Sequence, residues 1–106
     1  SRFAAIHRAG GEIDLARTSW LQALELYRAL TSQYEDVSSY QVLFVHTLTS
    51  LADLEDTDGT LPAADGFRKV AIDHLNRRLM VSDNPLYRRW LERLQVQMLP
   101  IPNVDN

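Results

Sequence analysis

The chain has 106 residues, of which 45% are hydrophobic and 24% are charged, and its formal net charge is −3. This length allows one folded domain with a modest core, and the composition is too apolar for a disordered chain. The absence of cysteine excludes disulfides, thiolate metal sites and cysteine nucleophiles, and the slightly acidic balance does not indicate a nucleic-acid binder.

No apolar run approaches the roughly 20 residues that a membrane span needs, so we expect no membrane contact. The lack of cysteine fits a cytoplasmic protein. The charges are unevenly distributed, because residues 1–65 hold four arginines and ten acids, whereas residues 66–99 hold seven basic side chains and three acids. The basic half could meet an acidic partner or the acidic half of a second copy. Alternatively, the charges only cover solvated helix faces.

Five helices are predicted from apolar residues that recur every three or four positions. The first, over about residues 3–17, has the weakest pattern. The other four carry clear apolar stripes within residues 20–34, 40–54, 67–79 and 86–98. No segment alternates with a period of two for long enough to predict a strand. The predicted fold class is all-α, with short connections that place neighbouring helices antiparallel.

The connections carry capping residues and turn formers. Thr18 or Ser19 is expected to cap the second helix, and Ser38 or Ser39 the third. Gly59 is expected to end the third helix in a left-handed conformation.

The last two connections also carry capping residues. Thr60 is expected to cap the fourth helix, and Asp83 or Asn84 is expected to cap the fifth. Pro85 suits the first turn of the fifth helix, because the backbone N–H that proline lacks has no partner there. The domain is predicted to span residues 1–99. Residues 100–106, "PIPNVDN", cannot continue a helix and are predicted to form a flexible tail.

The chain is similar to itself at an offset of about 40 residues. "ALELYRAL" aligns with "AADGFRKV", since both read Ala-x-x-x-aromatic-Arg, and Gly11 aligns with Ala52 upstream of them. Tyr40 aligns with Tyr87 at an offset of 47 residues. The seven extra residues correspond to two helical turns, so they lengthen a helix and leave its apolar stripe on the same side.

This pattern resembles the tetratricopeptide (TPR) repeat, over about residues 5–98. In that family a small residue lies where the two helices of a hairpin cross, and a small residue followed by an aromatic residue marks the second helix. The matching positions are Gly11, Ala52, Ala23, Tyr27, Ala63 and Phe67. The motif "DNPLYRRWLERL" after a long helix is similar to divergent bacterial arrays that stand beside kinases, nucleotidases and other signalling domains.

The resemblance implies two and a half repeats of stacked antiparallel hairpins, whose first helices line a concave groove. The groove-facing positions carried over from the family are Arg8, Glu12, His46, Thr49 and Asp53. The asparagine and lysine set with which some relatives bind a C-terminal carboxylate is absent, which argues against a chaperone-tail adaptor. The resemblance therefore implies a protein or peptide ligand that is not bound through its C-terminal carboxylate.

The stretch "ADLEDTDGTLPAAD" places five carboxylates around one glycine, as a calcium loop would. With Gly59 at the sixth place of an EF-hand frame, the first place is Leu54, which cannot ligate a metal. The twelfth place is Asp65, which is shorter than the usual glutamate. We interpret the stretch as an acidic turn between two helices and expect no metal there.

No group of residues has the spacing of a catalytic or cofactor site. His7, His46 and His74 fall on three predicted helices, and no two share an i, i+4 face, so a helical zinc pair is not predicted. His74 lies in an apolar stripe and is expected to be a hydrogen-bonded packing residue. Trp20 and Trp90 have the helical spacing of core residues, not of a nucleic-acid stacking platform. We expect neither an enzyme nor a cofactor.

Two functions remain. The first is a non-catalytic helical-repeat module for protein–protein interaction, within a larger bacterial signalling protein. The second is a structural oligomerisation or capping domain that mainly associates with itself, because two and a half repeats are marginally stable alone. A mass that depends on concentration, without another ligand, would favour the second.

Overall fold

The computed structural model describes residues 2–98, and it describes side chains from residue 11 onward. Four α-helices form this part of the chain: α1 (Arg2–Gln33), α2 (Ser38–Thr57), α3 (Leu61–Leu79) and α4 (Pro85–Met98). The described residues contain no β-strand, so the predicted all-α class is confirmed. The flexible tail predicted for residues 100–106 lies outside the described residues.

α1 is one continuous helix of 32 residues where the sequence predicts two, and the predicted number of five helices is wrong within residues 2–98. The break is predicted at Thr18 and Ser19. Instead, the Thr18 hydroxyl donates a hydrogen bond to the Asp14 carbonyl oxygen at 3.0 Å. A hydroxyl that bonds four residues back is compatible with a helix interior. The first proline of the chain is Pro62, so none interrupts α1.

The continuity of α1 also changes the environment of Gly11. The resemblance places Gly11 at a close helix crossing, but a Cβ atom added there would meet none of the described atoms within 4 Å. Ala52, its counterpart in the second copy, is fully buried. Ala63, the small residue that the resemblance places in α3, is exposed, and its neighbour Ala64 is buried instead. Close packing around small residues is therefore found in α2 and α3 and not at Gly11.

The connection between α2 and α3 is the predicted left-handed glycine turn. Gly59 has a φ of 82°. The Thr60 N–H donates to the Glu55 carbonyl oxygen at 2.8 Å, and the Gly59 N–H donates to the Asp56 carbonyl oxygen at 3.2 Å. These two bonds form the Schellman motif that commonly ends a helix. Thr60 then precedes α3 as its N-cap residue, without a hydrogen bond from its side chain.

The other two helix starts differ from each other. Ser38 and Ser39 lie inside the first turn of α2, and Val37 precedes that helix without a side-chain cap, so the predicted serine caps are wrong. At α4, the Asn84 Oδ1 atom accepts a hydrogen bond at 2.9 Å from the backbone N–H two residues on. Pro85 begins the helix. Of the two predicted caps of α4, Asn84 is therefore the one used.

The core lies along α2, which packs against the other three helices. Its buried side chains come from all four helices: Leu24, Phe44, Val45, Leu48, Leu51, Ala71, Leu75, Tyr87 and Leu94. Val70 and Leu86 lie on predicted apolar stripes but are 43% and 45% exposed. Their neighbours Ala71 and Tyr87 are buried.

Candidate functional site

A groove between α2 and α4 brings together three of the five predicted groove residues. His46, Thr49 and Asp53 follow one another on one face of α2, at spacings of three and four residues. They line a cavity of about 300 Å³ whose opposite wall is α4, and we call it the α2/α4 groove. The full lining is His46, Thr49, Ser50, Asp53, Trp90, Arg93, Leu94 and Gln97.

Of the two predicted residues on α1, Glu12 does not belong to this lining. The side chain of Arg8 lies outside the described side chains. Glu12 is exposed on α1 and stands apart from the groove. The reason is the position of α1, which contacts the carboxyl end of α2 through Arg17, more than one turn beyond Glu12.

His46 lies between two tryptophans at the side of the groove. The centre of its ring is 6.0 Å from that of Trp20 on α1 and 6.0 Å from that of Trp90 on α4, and both contacts are edge-on. The guanidinium carbon of Arg93 lies 4.9 Å from the centre of the Trp90 ring, a cation–π contact. Both tryptophans pack on the core, as predicted, but are only partly buried.

The wall contributed by α4 is not predicted by the sequence analysis. Helical spacing assigns Trp90 to the core, and the charge of Arg93 suggests a solvated outer face. A usable signal exists, since Trp90, Arg93 and Gln97 recur at spacings of three and four residues, like the three groove residues of α2. Two helices with matching polar and aromatic stripes are candidates for the two walls of one groove.

Arg17 of α1 neutralises one side of the acidic turn after α2. Its Nε atom lies 2.6 Å from Glu55 Oε1, and its two terminal nitrogens lie 2.7 Å from Asp58 Oδ2 and 2.8 Å from Asp14 Oδ1. Hydrogen bonding to Arg17 lowers the pKa of the buried Glu55 carboxyl. The same bond to Glu55, and then the bond to Asp58, raise the pKa of Arg17. These charge-assisted bonds hold the middle of α1 against the carboxyl end of α2.

Arg68 of α3 neutralises the other side of the same turn. It is 7% exposed, forms an ion pair with Asp56, and approaches Asp53 Oδ1 at 3.3 Å and Asp65 Oδ1 at 3.9 Å. Hydrogen bonding to Asp56 is the main cause of its raised pKa, which burial opposes. All five carboxylates of the stretch therefore face a guanidinium group. Among the side chains from residue 11 to residue 98, no three acidic or histidine residues converge as metal ligands.

Replacing Arg68 with methionine is expected to lower the free energy of unfolding by about 1–2 kcal/mol. Methionine keeps most of the buried stem but loses the ion pairs, and the loss is limited because the carboxylates of Asp53 and Asp56 regain water. Urea denaturation measures the difference. Lys69→Met, at the exposed neighbouring position, is the control and is expected to change stability by less than about 0.5 kcal/mol. Equal losses in both variants would contradict the role given to Arg68.

A buried polar link joins α1, α2 and α3. Gln41 of α2 is fully buried. The carbonyl oxygens that its Nε2 atom meets, at 3.3 to 3.5 Å, belong to Thr31, Tyr34 and Glu35. Gln41 therefore satisfies the carboxyl end of α1, whose last carbonyls have no partner within the helix. Its Oε1 atom lies 2.7 Å from Nε2 of His74, and since this oxygen only accepts, His74 carries a proton on Nε2.

His74 is otherwise enclosed by apolar and cationic neighbours. It is 9% exposed and packs edge-on against Phe44, with ring centres 4.8 Å apart. Burial, and after it the charges of Arg77 and Arg78, lower the pKa of His74 to about 4. The ring is therefore neutral at pH 7. The prediction that His74 is a hydrogen-bonded packing residue is confirmed.

Comparisons with known proteins identify no relative of this chain. No family model matches the sequence, and no match is found among curated proteins or among solved structures. None of the four described helices combines the length and the apolar character that crossing a membrane requires. Function is therefore inferred from the helix arrangement and from the α2/α4 groove.

Proposed function

We propose that this chain is a non-catalytic, TPR-like helical-repeat module that mediates protein–protein contact, as part of a larger cytoplasmic bacterial signalling protein. The observation that carries the proposal is the α2/α4 groove, in which aromatic, charged and polar side chains converge on one open cavity. The TPR-like and bacterial parts of the proposal come from the resemblance of the sequence repeat.

In the TPR-like register, α2 and α3 form one hairpin and α4 begins the next. The second half of α1 takes the place of the second helix of the preceding hairpin, although the continuous α1 provides no separate first helix. Three observations support this register. The turn after α2 is closed by Gly59, and Ala52, the small residue of the register in α2, is fully buried. α2 also contacts α4, as the first helices of neighbouring stacked hairpins are expected to do.

The groove suits the side-chain anchor of a peptide or helix. Its volume of about 300 Å³ is at the lower end of the range for small-molecule pockets. Tryptophan and arginine side chains dominate the binding energy of many protein interfaces. Trp90 and Arg93 provide that combination, and Asp53 adds the opposite charge. These features favour a helix or extended segment docked between α2 and α4.

Thr49→Arg is expected to weaken peptide binding about tenfold or more, because the long side chain occupies the groove that Thr49 lines. Peptides are first selected from a phage-displayed library on the wild-type chain, and their affinities are then measured on both proteins. Leu15→Ala, at a position on α1 that is 71% exposed, is the control and is expected to bind like wild type. A library that yields no binder, or peptides that bind Thr49→Arg as tightly as wild type, would contradict the proposed groove.

A second candidate function is self-association. Leu15 and Leu26 are eleven residues apart, so they lie on nearly the same side of α1, and they are 71% and 58% exposed. Light scattering behind a sizing column, over a wide range of concentration, separates the two functions. A dimer that dissociates on dilution and is lost in Leu26→Arg would support self-association. A constant monomer mass would support the interaction module.

A further inference from the structure

A second cavity, of about 420 Å³, lies where the carboxyl ends of α1 and α3 meet the first turns of α2. Three arginines line it: Arg28 from α1, and Arg77 and Arg78 from α3. We call it the arginine cavity. Its lining contains one carboxylate, that of Glu35, so positive charge predominates. None of its lining residues belongs to the α2/α4 groove.

The three guanidinium groups keep most of their hydrogen-bond donors. Arg77 forms no ion pair with any side chain from residue 11 to residue 98, and the pair between Arg28 and Glu25 is long, at 3.9 Å, and exposed. One terminal nitrogen of Arg78 donates to the Glu35 carbonyl oxygen at 3.0 Å, which holds this side chain in place. Its buried Nε atom has no partner among the described residues. The carboxyl ends of two helices offset part of the positive charge and disfavour an anion, so the guanidinium groups supply the attraction.

His74 lies in the wall of the same cavity, held through Nε2 by Gln41. Burial, followed by the charges of Arg77 and Arg78, lowers the pKa of His74 to about 4. Both arginines line the same cavity as the imidazole. An anion placed beside them would offset their charge and raise the pKa of His74. The ring is thus a built-in reporter of an anion in this cavity.

We propose that the arginine cavity binds a phosphate group, either free or carried as a monoester. Guanidinium groups contributed by two helices can contact several terminal oxygens of a dianion, whereas a carboxylate offers only two oxygens. The Thr31 and Ser32 side chains add hydroxyl groups to the lining. The volume of the cavity leaves space for the group that carries the phosphate. This site shares no lining residue with the α2/α4 groove. An experiment that contradicts one of the two proposals therefore leaves the other untouched.

Inorganic phosphate is the first probe, added to the full chain at pH 7 and at constant ionic strength with chloride as the reference. NMR signals of the His74 ring and of the arginine Nε–H groups are expected to shift and to saturate. Arg77→Gln and Arg28→Gln, both at exposed positions away from the core, are expected to weaken binding about tenfold each. Arg88→Gln on α4, which is exposed and outside the cavity, is the control and is expected to bind like wild type.

A second probe, N-acetyl-O-phosphoserine amide, distinguishes the source of the phosphate. Tighter binding than that of inorganic phosphate would assign the cavity to a phosphorylated side chain, and weaker binding would assign it to a free phosphate; both orders support the site. Shifts that grow linearly without saturation would overturn the proposal, because they indicate screening only. Equal shifts in Arg77→Gln and Arg88→Gln would overturn it as well.

Discussion

Replacing Ser19 with proline is expected to destabilise the protein by about 3 kcal/mol or more. Ser19 is exposed in the interior of α1, so the loss comes from the backbone and not from side-chain packing. Proline there cannot donate to the Leu15 carbonyl oxygen, and its ring clashes with that carbonyl group. Chemical denaturation, followed by circular dichroism, measures the free energy of unfolding.

This substitution separates the continuous α1 from the arrangement that the sequence predicts. If Thr18 capped a new helix, Ser19 would be its first residue, and proline is well tolerated at that position. Ser19→Ala is the control, and it is expected to leave stability unchanged or slightly increased, because alanine is the best helix former. A proline variant as stable as the alanine variant would contradict a continuous α1.

Acidification from pH 7 to pH 4 is expected to reduce the free energy of unfolding by about 2–3 kcal/mol through His74 alone, since each unit of pKa change corresponds to about 1.4 kcal/mol. The ordinary pKa is 6.5 and the pKa in the folded chain is about 4, because burial and the charges of Arg77 and Arg78 disfavour the protonated ring. The unfolded chain therefore takes up the proton first as the pH falls. The contribution is intact above about pH 6.5 and is lost progressively down to about pH 4.

His74→Gln isolates this contribution from the other titrating groups. Glutamine retains an N–H donor for the Gln41 Oε1 atom but does not titrate. The variant is expected to be less stable than wild type at pH 7, with a smaller loss of stability between pH 6.5 and pH 4. The lowered pKa of Glu55 acts in both proteins and below its ordinary value of 4.5, so it does not enter the comparison. Parallel stability curves for the two proteins would contradict the buried, neutral state of His74.

Most of the fold could be predicted from local sequence patterns. The exception is α1, which is one helix where these patterns predict two. Apolar periodicity predicts α2, α3 and α4, and Gly59 and Pro85 mark their ends for reasons of backbone geometry. A threonine such as Thr18 is compatible with two structures. Its hydroxyl can cap the start of a helix, or it can donate a hydrogen bond to a carbonyl oxygen of the preceding turn inside a helix. Which of these occurs depends on tertiary contacts. Arg17, for example, forms ion pairs with Glu55 and Asp58, which follow it in the sequence by 38 and 41 positions. No local pattern contains these contacts.

The candidate site, like the fold, could be predicted only in part. The resemblance to the TPR repeat implies His46, Thr49 and Asp53, which lie on one face of a single helix. The opposite wall depends on which helix lies against α2, and Trp90 and Arg93 have equally good local explanations as core and surface residues. The arginine partners of the acidic turn depend likewise on the packing of three helices. The acidic stretch alone suggests a metal site as readily as an ion-pair network.

The most direct test of the α2/α4 groove is a titration followed by tryptophan fluorescence. The chain has two tryptophans, Trp20 and Trp90, and both contact His46 at the side of the groove. A peptide selected on the wild-type chain is expected to change their emission until it saturates, and Thr49→Arg is expected to remove that change. Calorimetric binding that leaves the emission unchanged, or that persists at full strength in Thr49→Arg, would contradict the groove as the interaction site.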